Sequence, residues 1–146
     1  MYVLDNDTLT LFFRGHVEVV RRVLATPDPV LWLPAIVVEE RLRGRFSYLS
    51  GFNAARASDR AKIPLAYDLL LEAVRELQQF QHLPYTAEME DLYQSWSPAV
   101  KRVGTRDCRI AATAVVHGFT VVTRNLSHFQ PIPGVRAEDW SRINPA

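Results

Sequence analysis

Short apolar runs alternate along this chain with longer stretches of helical periodicity, and that alternation restricts the fold more than any other feature. Tyr2–Leu4 suits a buried strand, and Val30–Leu33 and Val121–Thr123 repeat the pattern. Residues 82–84 and the neighbourhood of Val135 predict two further brief strands. Between them, Asp7 is placed to cap a helix running to about Phe13, with Arg14-Gly15 ending it. Val17–Leu24 keeps apolar residues at helical spacing. Pro34 fits the first turn of a helix through IVVEERLRG, where its missing N–H costs nothing. After a loop at 51–58, Ser58 is placed to cap a helix to about Phe80, carrying the stripe Leu65, Leu69, Leu70, Ala73, Leu77 and Phe80. Thr86–Trp96 predicts another helix, and Thr105 caps Arg106–His117 ahead of Gly118. Strands and helices in turn, joined by short loops, predict an α/β fold of three layers: a mostly parallel, twisted sheet flanked by helices. One domain covering residues 1–146 is expected, since 146 residues suffice for one core and are too few for two.

Composition excludes several classes. Hydrophobic residues are 48% and charged residues 23%, the balance of a globular protein. No apolar run approaches the roughly 20 residues of a membrane span, and MYVLDND lacks the basic start of a signal peptide. Cys108 stands alone, so no intramolecular disulfide forms, and a cytoplasmic setting without membrane attachment is expected. His16, His82, His117 and His128 show no zinc spacing.

The net charge of +1 hides an uneven distribution. Arg41, Arg43, Arg45, Arg56, Arg60 and Lys62 are opposed only by Asp59, and Lys101, Arg102, Arg106 and Arg109 form a second basic group. Solvated helix faces account for such runs; a phosphate-binding surface does so if the groups flank a site.

Carboxylates supply the site. Open parallel sheets bind ligands at the C-terminal ends of their strands. Asp5 and Asp7 follow the first strand directly, while Thr123, Arg124 and Asn125 follow the strand VVT. Glu40 lies about two turns into the helix after the second strand, and Asp107 lies in the first turn of the helix leading into VVT. Carboxylates gathered at one edge repel each other unless cations neutralise them, and hard oxygen donors completed by water suit Mg²⁺ or Mn²⁺. Each residue also has a structural reading: Asp7 as a cap, Asp107 as a partner of the helix dipole, Glu40 as a surface residue paired with Arg43 or Arg45.

Three stretches together resemble the PIN-domain ribonucleases, and specifically the toxins of VapBC-type toxin–antitoxin pairs. YVLDNDTL resembles the family's hydrophobic strand followed by D-x-[DN]-x-L, with RGH at 14–16 shortly after. IVVEERLRG resembles a second motif with a glutamate four residues before a glycine, which selects Glu40 and Gly44. RDCRIAATAVVHGFTVVTRNLSHF, residues 106–129, resembles D-x-x-I-A-A-x-A-x-x-x-G followed by V-T-x-[ND]. The resemblance implies a PIN-like fold in which Asp5, Glu40 and Asp107 hold the metal. Asn125 takes a fourth catalytic place, with Asp7 and Thr123 in support. It implies Mg²⁺- or Mn²⁺-dependent cleavage of RNA (tRNA, rRNA or mRNA) to 5′-phosphate and 3′-hydroxyl ends. A VapB-like antitoxin and a homodimer are also implied. Arg41, Arg43, Arg45, Arg106 and Arg109 are then the residues for RNA or antitoxin. The chain departs from the family at Pro34 and Val37, where small hydroxyl residues are frequent, and at His128, where an acid is frequent. Asn125 brings an amide and no charge.

Two other readings fit parts of the chain. Haloacid-dehalogenase-type phosphatases also open on a strand and D-x-D, but their motif continues with glycine where Thr8 stands. They also require a downstream lysine, for which only Lys62 and Lys101 are available. A PIN-like module that binds RNA or protein with little turnover fits the missing hydroxyls and Asn125.

Overall fold

A computed structural model describes residues 1–143 apart from residues 53 and 55. Five strands, β1 (Tyr2–Leu4), β2 (Leu31–Pro34), β3 (Gln81–Leu83), β4 (Thr120–Val122) and β5 (Arg136–Glu138), form one sheet in the order β3-β2-β1-β4-β5. Every pairing is parallel. Helices α1 (Asn6–Phe13), α2 (Val17–Ala25), α3 (Ala35–Ser50), α4 (Lys62–Leu77), α5 (Ala87–Ser95), α6 (Pro98–Lys101), α7 (Thr105–His117) and α8 (Leu126–Phe129) flank it. The expected three-layer α/β architecture is what the chain adopts.

The strands are short but deeply buried. Val3, Leu4, Leu33, Val121 and Val122 have no exposed surface, as a sheet covered on both faces requires. Helix α7 lies close against the sheet because its inward positions are small: Ala111, Ala112 and Ala114 are fully buried. It ends where expected, at Gly118, whose φ of 67° is the left-handed conformation that closes a helix. Helix α3 packs on α4, and α5 on α7.

Several boundaries differ from those read off the sequence. The cap of α1 is Asp5 rather than Asp7, its carboxylate accepting from the Thr8 N–H. Pro34 closes β2 with extended dihedrals and caps α3 from outside. Ser58 lies in a single 3₁₀ turn, Ala57–Asp59, and α4 starts at Lys62. Gly104, with φ 118°, occupies the cap position of α7, so Thr105 is the first helical residue. Helices α6 and α8 are one turn each, too short to leave a periodic signal. The loop expected at 51–58 falls partly on residues 53 and 55, outside the described residues.

The strand order places a topological switch at β1, whose chain continues to β2 on one side while β4 pairs on the other. At such a point the connections leave in opposite directions and open a crevice beyond the C-terminal strand ends. Asp5 and Thr123 are the first residues beyond β1 and β4.

Candidate active site

Asp5 and its neighbour Thr8 are anchored by three hydrogen bonds. The Asp5 backbone N–H donates to the Val122 carbonyl at 3.1 Å, tying the end of β1 to β4. Its Oδ1 accepts from the Thr8 N–H at 2.7 Å, and the Thr8 hydroxyl donates to the Val122 carbonyl at 3.0 Å. Only 6% of the residue is exposed. Burial therefore pushes the Asp5 carboxyl above its ordinary range; hydrogen bonding from Thr123 and Thr8 opposes this, and the charge of Asp7 adds to it. Thr123, itself fully buried, also accepts the Asn125 backbone N–H at 3.0 Å, so one hydroxyl serves both strand-end residues.

Glu40 faces the same crevice from α3. Burial raises its carboxyl; Arg106 opposes that, and the charges of Asp107, Asp5 and Glu39 reinforce it. Glu40 on α3 thus feels the charges of Asp5, at the cap of α1, and of Asp107 on α7, which the sequence alone only suggested. Asp107 has a partner of its own: its Oδ2 lies 2.8 Å from Nδ1 of His128, on α8. Asn125 is exposed at the start of α8 and makes no side-chain cap.

Asp7 points elsewhere. It forms a two-pronged ion pair with Arg124, 2.6 Å from Nε and 2.9 Å from Nη2. Nothing in the local spacing announces this pair, whose members come from opposite ends of the chain.

The arginines divide into four groups. Arg41 turns inward: Nε donates to Glu76 Oε2 at 3.1 Å and Nη1 to the Thr10 hydroxyl at 2.9 Å. Its side chain is 10% exposed and that of Glu76 is 11%, so Arg41 is a buried strut between α3 and α4 rather than a surface cation. Arg109 is held on the Glu90 carboxylate at 3.1 and 3.3 Å and lies over the rings of Tyr85 and Tyr93. Arg43 and Arg106 both meet Glu39, Arg43 in a hydrogen-bonded pair and Arg106 at 3.7 Å. Arg45 lines a polar cavity of about 390 Å³ that Glu40 shares. A larger cavity of about 760 Å³ lies on the other side of Glu40 and takes in Asp107, Arg43, Arg106 and Tyr85. Sequence reasoning passed over Glu39, Glu76 and Tyr85, whose parts depend on which helices meet.

Among the described residues, no three His, Cys, Asp or Glu side chains are grouped closely enough to hold an ion by themselves. The donor chemistry nevertheless fits a hard divalent cation. Asp5 is a buried carboxyl for which no cationic partner is seen, and Glu40 is raised by burial and further by its acidic neighbours, so a cation between them would relieve both. Among the described residues, no helix is long and apolar enough to cross a membrane.

A parallel sheet with acidic residues from three elements at its switch point defines an α/β protein with an acidic site. The family model described as PIN domain matches residues 2–131, and the chain belongs to that family. Over 38 residues it is 53% identical to the tRNA(fMet)-specific endonuclease VapC of Salmonella typhimurium. That match spans 26% of this chain and 29% of the relative. The fold is similar to DNA-bound VapBC from Salmonella typhimurium, with a TM-score of 0.73 at 23% identity over 95% of this chain and 97% of that one. It is also similar to VapBC2 from Rickettsia felis bound to a promoter DNA fragment, with a TM-score of 0.70 at 19% identity over 95% and 98% of the two chains. VapBC-1 from nontypeable Haemophilus influenzae gives 0.72 at 16% identity over 97% and 98%.

Proposed function

We propose that this chain is a divalent-metal-dependent endoribonuclease and the toxin of a VapBC-type pair, acting as one PIN domain over residues 1–146. The observation that carries the reading is the placing of Glu40 and Asp107 along one cleft, with Asp5 at the end of β1 near enough for its charge to act on Glu40. The family match and the similarity to an endonuclease and to VapBC complexes support it.

Asp5, Glu40 and Asp107 would hold Mg²⁺ or Mn²⁺. When bound, the ion supplies an acidified water and a counter-charge for the phosphate. Asp5, fixed by the Thr8 N–H and by β4, offers a rigid carboxylate that needs no reordering. Thr123 holds the Asn125 backbone in place, so that the Asn125 amide can orient the attacking water. Arg106, beside Glu40, meets the substrate phosphate. Arg43 and Arg45 extend the cationic edge along the RNA, giving salt-sensitive affinity. The substrate is RNA, and products ending in 5′-phosphate and 3′-hydroxyl follow from attack on the phosphorus with the 3′ oxygen leaving. A VapB-like antitoxin would cover the same surface, and the partly exposed apolar faces of the helices suit a homodimer in the cytoplasm.

The test is cleavage of total RNA with Mn²⁺ and with EDTA, comparing wild type with Asp5→Asn and Asp107→Asn. Cleavage by wild type alone, abolished by EDTA, is the expected result; cleavage surviving both substitutions sinks the assignment. Growth arrest on expression, relieved by a co-expressed neighbouring gene, tests the toxin role. A binding module with little turnover is the reading favoured by the absence of three closely grouped ligands among the described residues. It prevails if RNA is bound and neither Mg²⁺ nor Mn²⁺ yields cleavage.

A further inference from the structure

The cavity beside Glu40 and Asp107 carries apolar and aromatic side chains as well as charged ones. It is an open cleft of about 760 Å³, and its lining joins the carboxylates, Arg106 and Arg109 to Ile36, Val103 and Tyr85. Phosphate and ion chemistry accounts for the charged side only. An apolar side that includes an aromatic ring suits a flat heteroaromatic group, which every RNA strand presents next to its phosphates.

The ring is built in advance. The Tyr85 hydroxyl donates to Glu90 at 2.8 Å, and Arg109 bridges the same carboxylate and lies over the Tyr85 ring at 5.7 Å and the Tyr93 ring at 5.3 Å. A ring held by one hydrogen bond and one cation loses little freedom when a ligand stacks on it. The cavity on the other side of Glu40 is different: Asn6, Arg14, Arg45 and Glu72 make it polar, and at about 390 Å³ it is half the size. The two sides of the acidic site are therefore unequal, one suited to a base and the other to backbone.

We infer that the larger cleft is a nucleobase subsite, in which the base next to the scissile phosphate stacks on Tyr85 against Ile36 and Val103 while Arg106 faces the phosphate. The inference rests on the ribonuclease reading of the same carboxylates. Tyr85 is then a specificity residue for the substrate, acting on binding.

The experiment measures anisotropy of fluorescein-labelled RNA octamers, in Ca²⁺, bound to wild type, Tyr85→Phe, Tyr85→Leu and Tyr85→Ala. Each octamer is tested intact and with a single abasic site moved along it. Tyr85→Phe keeps the ring but loses its tether to Glu90 and should lose only a little, whereas Tyr85→Ala and Tyr85→Leu should lose roughly tenfold. That loss should vanish for one abasic position and persist for the others, a pattern that loss of packing would not produce. Equal binding by all four proteins overturns the subsite, and so does a loss indifferent to the abasic position. A peptide that competes for the cleft while base removal has no effect overturns it too, in favour of a protein ligand. Parallel cleavage in Mn²⁺ separates the two claims. Wild-type cleavage with no Tyr85 effect leaves the nuclease standing and the subsite fallen; the abasic pattern without cleavage does the reverse.

Discussion

Asp7 and Arg124 join the first turn of α1 to the loop after β4 through two hydrogen bonds, 2.6 and 2.9 Å, across the switch point of the sheet. This pair gives the two carboxylates of the first motif different tasks. Asp5 is buried with no cation; Asp7 is half-exposed and already neutralised. Asp5→Asn is expected to lower RNA cleavage by at least about 100-fold, while Asp7→Asn should lower it only a few-fold. Initial rates under saturating Mn²⁺ check this, and equal losses would make Asp7 a ligand in its own right.

Glu39 occupies both Arg43 and Arg106 at the mouth of the larger cleft. An incoming phosphate must compete with that carboxylate. Glu39→Gln should therefore tighten RNA binding several-fold at low salt and steepen its salt dependence, with a log–log slope larger by about one. Titrations between about 50 and 200 mM KCl measure the slope. Weaker binding by Glu39→Gln would mean that Glu39 holds the arginines in place for RNA.

The Arg41–Glu76 pair predicts a stability effect and no direct effect on RNA. Removing one partner strands a buried charge, so Glu76→Ala should cost about 3 kcal/mol in urea denaturation. The double replacement Arg41→Met with Glu76→Leu should recover most of that. An Arg41→Met, Glu76→Leu protein that folds yet binds RNA at least tenfold more weakly would return Arg41 to the RNA surface.

Asp5 also makes the metal-free protein sensitive to pH. Burial raises its folded carboxyl above the unfolded value of about 3.9, so the folded state binds more protons than the unfolded state between the two. The penalty is absent below the unfolded value and grows as pH rises through the folded one. Asn caps a helix as well as Asp does. Asp5→Asn without metal should therefore melt higher than wild type at pH 7, with the gap closing toward pH 4. A gap that is constant with pH would contradict the burial argument.

Much of the architecture was legible because its signals are local. Three-residue apolar runs, Gly118 after a helical stretch and small residues along α7 all leave marks within a few positions. The cap of α1 falls at Asp5 and not at the expected Asp7, a difference that spacing does not carry, since Asp5-x-x-Thr8 and Asp7-x-x-Thr10 are alike. Pairing of Asp5 with Val122 decides between them, and that contact joins distant parts of the chain. Arg41 and Arg43 read alike as cations on one helix, yet one meets Glu76 on α4 and the other Glu39 on its own helix. Asp107 with His128, Asp7 with Arg124 and Glu90 with Arg109 escaped for the same reason, since each pair forms only once separate elements are packed together.

Mn²⁺ binding, measured by calorimetry or by loss of the free-ion paramagnetic signal, tests the acidic site most directly. Wild type is predicted to bind Mn²⁺, and Asp5→Asn, Glu40→Gln and Asp107→Asn each to lose at least tenfold in affinity while remaining folded. Mn²⁺ bound with undiminished affinity by all three variants would contradict the assignment of Asp5, Glu40 and Asp107 as its ligands.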